Sequence, residues 1–187
     1  MTLSSFLQKM LFINQFSINN GKFELLGQRY IVLDSSDILA LQDIDETKMY
    51  NTAKEGSRNH LANIVTHAKV YKNIKDESLK NVVELSKRIG KSEEGALRTL
   101  KAIFEIYGLG SMEIIDLDNS NKNVLLKIND STLALTQLKK SKSKNSVCTL
   151  TSGILAGIFS YLFNKDVDCI ENKCLATGND SCYFDIG

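Results

Sequence analysis

Cys148, Glu171, Cys174 and Cys182 have the types and spacing of ligands for a closed metal site, with 22, 2 and 7 residues between successive members. Zinc takes four ligands in a tetrahedron, thiolate and imidazole above all, with carboxylate accepted. Three cysteines and one glutamate meet that demand and give a zinc cluster of formal charge near −2. Four protein ligands leave no open position for water or substrate, so such a site is structural or ligand-gating rather than hydrolytic. A metal held this way contributes on the order of 10 kcal/mol to folding. The spacing leaves two alternatives open. Cys169 shares a strand face with Glu171 and can replace it as fourth ligand, or the four thiols are buried without metal. Strand alternation puts Glu171 and Cys174 on opposite faces, so convergence requires the strand to end or bulge near Asn172.

The elements that must bring these groups together are legible in the same stretch. From Val147 to Phe163 the chain is apolar apart from hydroxyls and glycines, the pattern of a buried helix. Its N-terminal dipole, beside Cys148, favours a thiolate, and Lys173 is placed to offset the cluster charge further. DVDCIEN and SCYFDI read as two closing strands joined around Gly178 and Asn179. Upstream, SMEIIDLD and NVLLKIND are strands joined by the polar turn Asn119–Asn121. STLALTQL is expected as a third strand, running into the surface loop KKSKSKNS.

The first half reads as mostly helical. Residues 2–15 carry Leu3, Phe6, Leu7, Met10 and Leu11 at helical spacing. KFELL and RYIVL flank Gly27 as a hairpin. Asp34 or Ser35 caps a short helix through Ile44. A long helix follows from Glu46 to Tyr71, with Tyr50, Ala53, Ser57 and Leu61 on its buried stripe. Glu77–Ile89 and Ser92–Tyr107 are two more helices, ended by Gly90 and by Gly108 and Gly110. The expected fold class is α+β, an antiparallel sheet with helices packed on one face.

At 187 residues, 43% hydrophobic and 24% charged, the chain is expected to hold one principal domain over 21–187, with 1–20 as an amphipathic helical extension. A net charge of +1 gives no field toward nucleic acid or membrane. The mixed charges of the Leu79–Tyr107 helices argue for an ordinary helical hairpin rather than a DNA reader. No apolar run is long enough for a transmembrane segment. Four cysteines without an export signal imply a cytoplasmic location, where thiols serve as ligands or core residues.

The closing segment CTLTSGILAGIFSYLFNKDVDCIENKCLATGNDSCYFDIG resembles the signature of the 4-vinyl reductase domain family. In that pattern a cysteine opens a Gly-rich apolar helix and Glu-x-x-Cys-x-x-x-Gly-x-x-x-Cys-x-Phe closes the domain. Here Glu171, Cys174, Gly178, Cys182 and Phe184 stand in register. MYNTAKEGSRNHL, LKAIFEIYGLGSMEIIDLD and GKFELLGQRYIVLD are compatible with the family, so the resemblance extends over about residues 20–187. It implies a fold similar to TRAPP trafficking subunits, zinc on Cys148, Glu171, Cys174 and Cys182, with Cys169 outside the set, and a hydrocarbon-binding or aromatic-effector cavity nearby.

Phe104, Tyr107, Leu150, Gly153, Ile154, Gly157 and Ile158 are the candidate lining of that cavity. Gly153 and Gly157 ask for a reason, because a helical glycine costs about 1 kcal/mol against alanine. The reason is either another backbone close by or room for a ligand. His60 and His67, one heptad apart, read as ordinary helical polar residues. Family sensors fix a phenol hydroxyl with His and Trp; this chain has no Trp, so phenol specificity does not carry over. The expected function is a zinc-stabilised homodimeric binding or sensory module for a hydrophobic small molecule, standing alone without an output domain. An interaction scaffold of the trafficking-subunit kind is the alternative. Catalysis is not expected: there is no dinucleotide fingerprint, P-loop or haem-attachment motif.

Overall fold

The computed structural model describes residues 16–19, 22–25, 28–71, 97, 101, 104, 105 and 107–187. The expected helices at 2–15 and Glu77–Ile89, and most of that at Ser92–Tyr107, lie outside them, as does the side chain of His67. The chain divides into two compact units, residues 1–33 with 64–102, and residues 34–63 with 103–187.

In the first unit the described residues form a three-stranded antiparallel sheet, β1 (Phe16–Asn19), β2 (Lys22–Leu25) and β3 (Gln28–Tyr30). The expected hairpin is present, with Leu25 opposite Gln28. Strand β1 was not anticipated; it pairs Phe16 with Leu25 and Asn19 with Lys22. Strand β3 stops at Tyr30, short of the expected Leu33.

The second unit holds the chemistry. Helix α1 (Ser35–Ile44) starts where predicted, with the Asp34 carboxylate accepting the Ser36 N–H at 2.8 Å. Asp45 separates it from α2 (Glu46–Tyr71), whose first turn it caps through the Lys48 N–H at 2.8 Å. Strands β4 (Ser111–Asp118) and β5 (Asn123–Asn129) form the expected meander. They are followed by α3 (Thr132–Lys140), α4 (Thr149–Phe163), β6 (Cys169–Lys173), a 3₁₀ turn (Leu175–Thr177) and β7 (Cys182–Ile186). The sheet order is β4-β5-β7-β6, antiparallel throughout.

One face of this sheet is dry and the other is not. Val124, Leu126 and Ile128 of β5 and Cys182, Phe184 and Ile186 of β7 are buried, while Lys127, Tyr183 and Asp185 between them are not. This is the period-2 signature of a half-covered antiparallel sheet. Helix α4 packs against β6 and β7 and adds Leu155, Ala156 and Phe159 to the core. A large apolar side chain such as Leu155 or Phe159 contributes about 1.5–3 kcal/mol of burial. The α+β class with helices on one face of an antiparallel sheet is what the structure has.

The strand expected at STLALTQL is instead helix α3. Asp130 adopts a left-handed conformation, φ 53°, which ends β5, and the Ser131 carbonyl accepts the Leu135 N–H at 2.9 Å to open the helix. The alternation of Leu133, Leu135 and Leu138 with polar residues misled; Leu133 and Ala134 are buried while Leu135 and Leu138 are exposed. Leu, Ala, Gln and Lys are strong helix formers, and Lys139 and Lys140 sit in the last turn, where the dipole favours them. The surface loop therefore begins only at Ser141.

Candidate metal centre

The four residues singled out by spacing meet in space. One donor atom from each of Cys148, Glu171, Cys174 and Cys182 lies within 4.8 Å of all the others. Each arrives from a different place in the fold. Cys148 stands at the N-cap of α4, but its side chain makes no capping bond and turns to the cluster instead. Glu171 lies in β6, Cys174 just after it at the start of the 3₁₀ turn, and Cys182 opens β7. The bulge anticipated near Asn172 is there: the β6–β7 register slips between Glu171 and Lys173. That slip turns two side chains from opposite faces toward one point.

The Sγ atoms of Cys148 and Cys182 are 3.7 Å apart, and those of Cys182 and Cys174 3.9 Å. A disulfide needs about 2.05 Å. Tetrahedral zinc with bonds of about 2.3 Å to sulfur needs edges of about 3.8 Å. Glu171 Oε2 accepts the Cys148 N–H at 3.0 Å, whereas Glu171 Oε1 is buried without a hydrogen-bond partner. A buried orphan carboxylate oxygen is costly, and a cation at the centre removes the cost. The donor set therefore fits a tetrahedral divalent ion, with Oε1 as the coordinating oxygen.

The electrostatics agree. Hydrogen bonds from Cys148 and Cys182 hold the Cys174 thiol well below its ordinary range. The same bonds, together with burial, push Cys148 up. Burial, reinforced by the charge on Cys174, pushes Glu171 up to about 7. Left to itself the cluster favours one negative charge and keeps its other members protonated. Only a cation lets all four ionise together.

Several supports were not read from the sequence. Gln42 of α1 is 2% exposed; its amide donates to Val147 O at 2.9 Å and accepts the Leu150 N–H at 2.7 Å, pinning the chain on both sides of Cys148. Ser131 Oγ lies 3.4 Å from Cys148 Sγ, and the Leu175 N–H donates to Cys182 Sγ at 3.3 Å. The one available signal for Gln42 was its position three residues after Leu39, on the apolar stripe of α1. Lys173, expected to offset the cluster charge, does not: the bulge leaves it exposed, with its ammonium 5.2 Å from the centre of the Tyr183 ring. Cys169 is buried but stands outside the group of four.

The residues expected to line an apolar cavity separate. Gly153 and Gly157 lie directly under α2. A Cβ on Gly153 would meet Ala53 Cβ at 2.8 Å and the Tyr50 carbonyl, and one on Gly157 would collide with the Lys54 carbonyl and Ser57 Oγ. Of the two readings, close approach of a backbone is the one these glycines serve. Phe104 and Ile158 are buried, Leu150 and Ile154 half-buried, and Tyr107 is exposed. A cleft of about 420 Å3 opens elsewhere in this unit, between α2, the 145–149 segment and β6. None of the seven lines it; Glu46, Tyr50, Asn145, Thr149, Cys169 and Glu171 do. Its floor is fixed by Tyr50, whose hydroxyl donates to Asp168 at 3.0 Å and accepts the Cys169 N–H at 2.9 Å. Lys54 pairs with Asp168 at 2.7 Å and Asp166 at 3.2 Å beside it. His60 is half-buried, and that burial lowers its pKa.

Comparison with known proteins bears on the same segment. Residues 132–187 match the 4-vinyl reductase domain. The resemblance read from the closing residues is thereby shown over that segment, which contains all four members of the cluster. An uncharacterized protein of Methanocaldococcus jannaschii is 28% identical over 87 residues, a match spanning 46% of this chain and 44% of that protein. The match thus covers less than half the length of that relative. Among solved structures, the phenol-responsive sensory domain of the transcription activator PoxR, with phenol, aligns with 18% identity over 100% of this chain and 90% of that one, at a TM-score of 0.64. A trafficking protein particle complex subunit 3 from Naegleria fowleri, covalently bound to palmitic acid, aligns with 10% identity over 81% of this chain and 89% of that one, TM-score 0.53. A vinyl-4-reductase family protein from M. jannaschii aligns with 19% identity over 86% and 83%, TM-score 0.49. The fold is thus that of the PoxR sensory domain and of the trafficking subunit. No helix among the described residues is long and apolar enough to cross a membrane.

Proposed function

We propose that this protein is a zinc-stabilised sensory or binding module for a hydrophobic or aromatic small molecule. The observation that carries the reading is the cluster of Cys148, Glu171, Cys174 and Cys182, with its sulfur–sulfur edges of 3.7 and 3.9 Å, inside a fold similar to a phenol-responsive domain. Zinc is preferred among divalent ions because three thiolates and a carboxylate in a tetrahedron suit a borderline-soft ion with no geometric preference of its own. The ion closes the C-terminal hairpin onto α4 and performs no hydrolysis, since every position is taken. Homodimerisation is part of the reading. Native mass spectrometry of the purified protein, before and after denaturation, tests it. The expected result is one zinc per chain and a retained apolar compound or measurable binding of simple phenols and fatty acids. Zinc without any small-molecule binding would reject the sensory half.

A second reading, an interaction scaffold, draws on the sheet edges. Edge strands β4 and β6 expose Ile115 (48%) and Ile170 (66%), and apolar residues on open edges invite association. Scaffold behaviour predicts a stable assembly by light scattering that Ile115→Lys or Ile170→Lys disperses, with no small molecule retained.

A further inference from the structure

The cluster is sealed on three sides and open on one. Cys148 and Cys182 are 0% exposed and Cys174 1%, with Ile128, Ser131 and Ala176 around them at 0%. Glu171 alone among the four is only partly buried, and it alone also lines the 420 Å3 cleft. The cleft walls are polar: Glu46 and Tyr50 from α2 face Asn145 and Thr149 from the segment leading into α4.

We propose that this cleft is the route by which the metal ion enters and leaves, and that Glu171 is the ligand that releases it first. The proposal rests on the metal reading above. A carboxylate oxygen is a harder and weaker donor to zinc than a thiolate. Glu171 Oε2 is anchored on the Cys148 N–H, so Oε1 can detach while the side chain stays in place. A donor atom of a chelator or carrier, entering through the cleft, forms a bond to the ion as the Oε1 bond breaks. The ion then departs with that carrier, and the thiolates left behind take up protons from solvent. Loading runs the same steps backward, with Glu46 and Glu171 attracting the cation down a polar channel. Exchange is therefore set by access along the cleft rather than by unfolding of the hairpin.

The test is zinc release from the full-length protein to an excess of a chromophoric chelator, followed by absorbance. Asn145→Trp and Glu46→Trp fill the cleft from opposite walls without touching a ligand. Both are expected to slow release by roughly tenfold, with zinc content and equilibrium affinity unchanged. Glu171→Cys, which removes the labile donor, is expected to slow it at least as much and to give a four-thiolate spectrum after cobalt substitution. Full zinc content with wild-type release rates in both tryptophan variants overturns the route. Faster release from Glu171→Cys with four sulfur ligands overturns the role of the carboxylate. A wild-type protein that carries no zinc and cannot be loaded rejects the metal reading itself, a result distinct from either.

Discussion

At the scale of single residues, the cluster makes unequal demands on its members. Cys174 and Cys182 supply two of the three sulfurs and, between them, the 3.9 Å edge. Either Cys174→Ser or Cys182→Ser leaves three donors around a buried centre and is expected to lose the metal and to melt sharply lower, by several kcal/mol. Glu171→Ala also frees the Cys148 N–H but keeps every thiolate, so its loss of metal affinity should be smaller, about 10–100-fold. Cys169→Ser should retain one equivalent, because Cys169 stands outside the group of four. Elemental analysis with thermal melting of the variants checks all four; equal metal content in wild type and Cys174→Ser refutes the assignment. These ligands were legible because metal chemistry restricts donor types and spacing severely. Gln42 and Ser131 were not, because an amide or hydroxyl that supports a ligand carries no chemical mark until the fold brings it there.

At the scale of elements, the contact between α2 and α4 depends on two glycines without side chains. Ser57 Oγ, which donates to Ala53 O at 2.8 Å, also reaches Ile154 O at 3.1 Å across the helix pair. That approach leaves no volume for a methyl group at Gly157. Gly157→Ala should therefore destabilise the protein by about 1–3 kcal/mol through overpacking, despite its better helix propensity. Gly56, beside this contact on α2, would have nothing within 4 Å of an added Cβ, and Gly56→Ala should stabilise by up to about 1 kcal/mol. Opposite signs in paired urea melts are the expected outcome, and a stabilising Gly157→Ala would contradict the close packing. Helix α2 was legible to its ends, Glu46 and Tyr71, because a 26-residue amphipathic period is hard to mistake. The nine residues of α3 were not. Over so short a span an alternating and a helical pattern overlap, and only the left-handed turn at Asp130 separates them.

At the scale of the whole molecule, the family match and the cluster occupy the same closing segment, residues 132–187. This is why the sequence spoke most clearly there. A cavity leaves no such record: its walls are ordinary apolar or polar residues gathered from distant elements, and the seven chosen from the sequence do not line the cleft that is present. The concentration of constraint in the tail has a thermodynamic consequence. Strand β6 is bonded only to β7 and contacts α4 across a small surface, so the ion is the main tie between the hairpin and the N-terminus of α4. Removing it should leave Cys148, Cys174 and Cys182 as buried thiols around an unpaired Glu171 carboxyl, a state that opening to water relieves. Chelation at neutral pH is therefore expected to raise amide exchange first at residues 142–150 and 169–186. Strand β5, paired on both sides by β4 and β7, should respond later and less. Readdition of zinc should restore protection in the same residues. Exchange that rises uniformly along 107–187 would mean instead that the ion stabilises the unit globally, with no weak hinge at its tail.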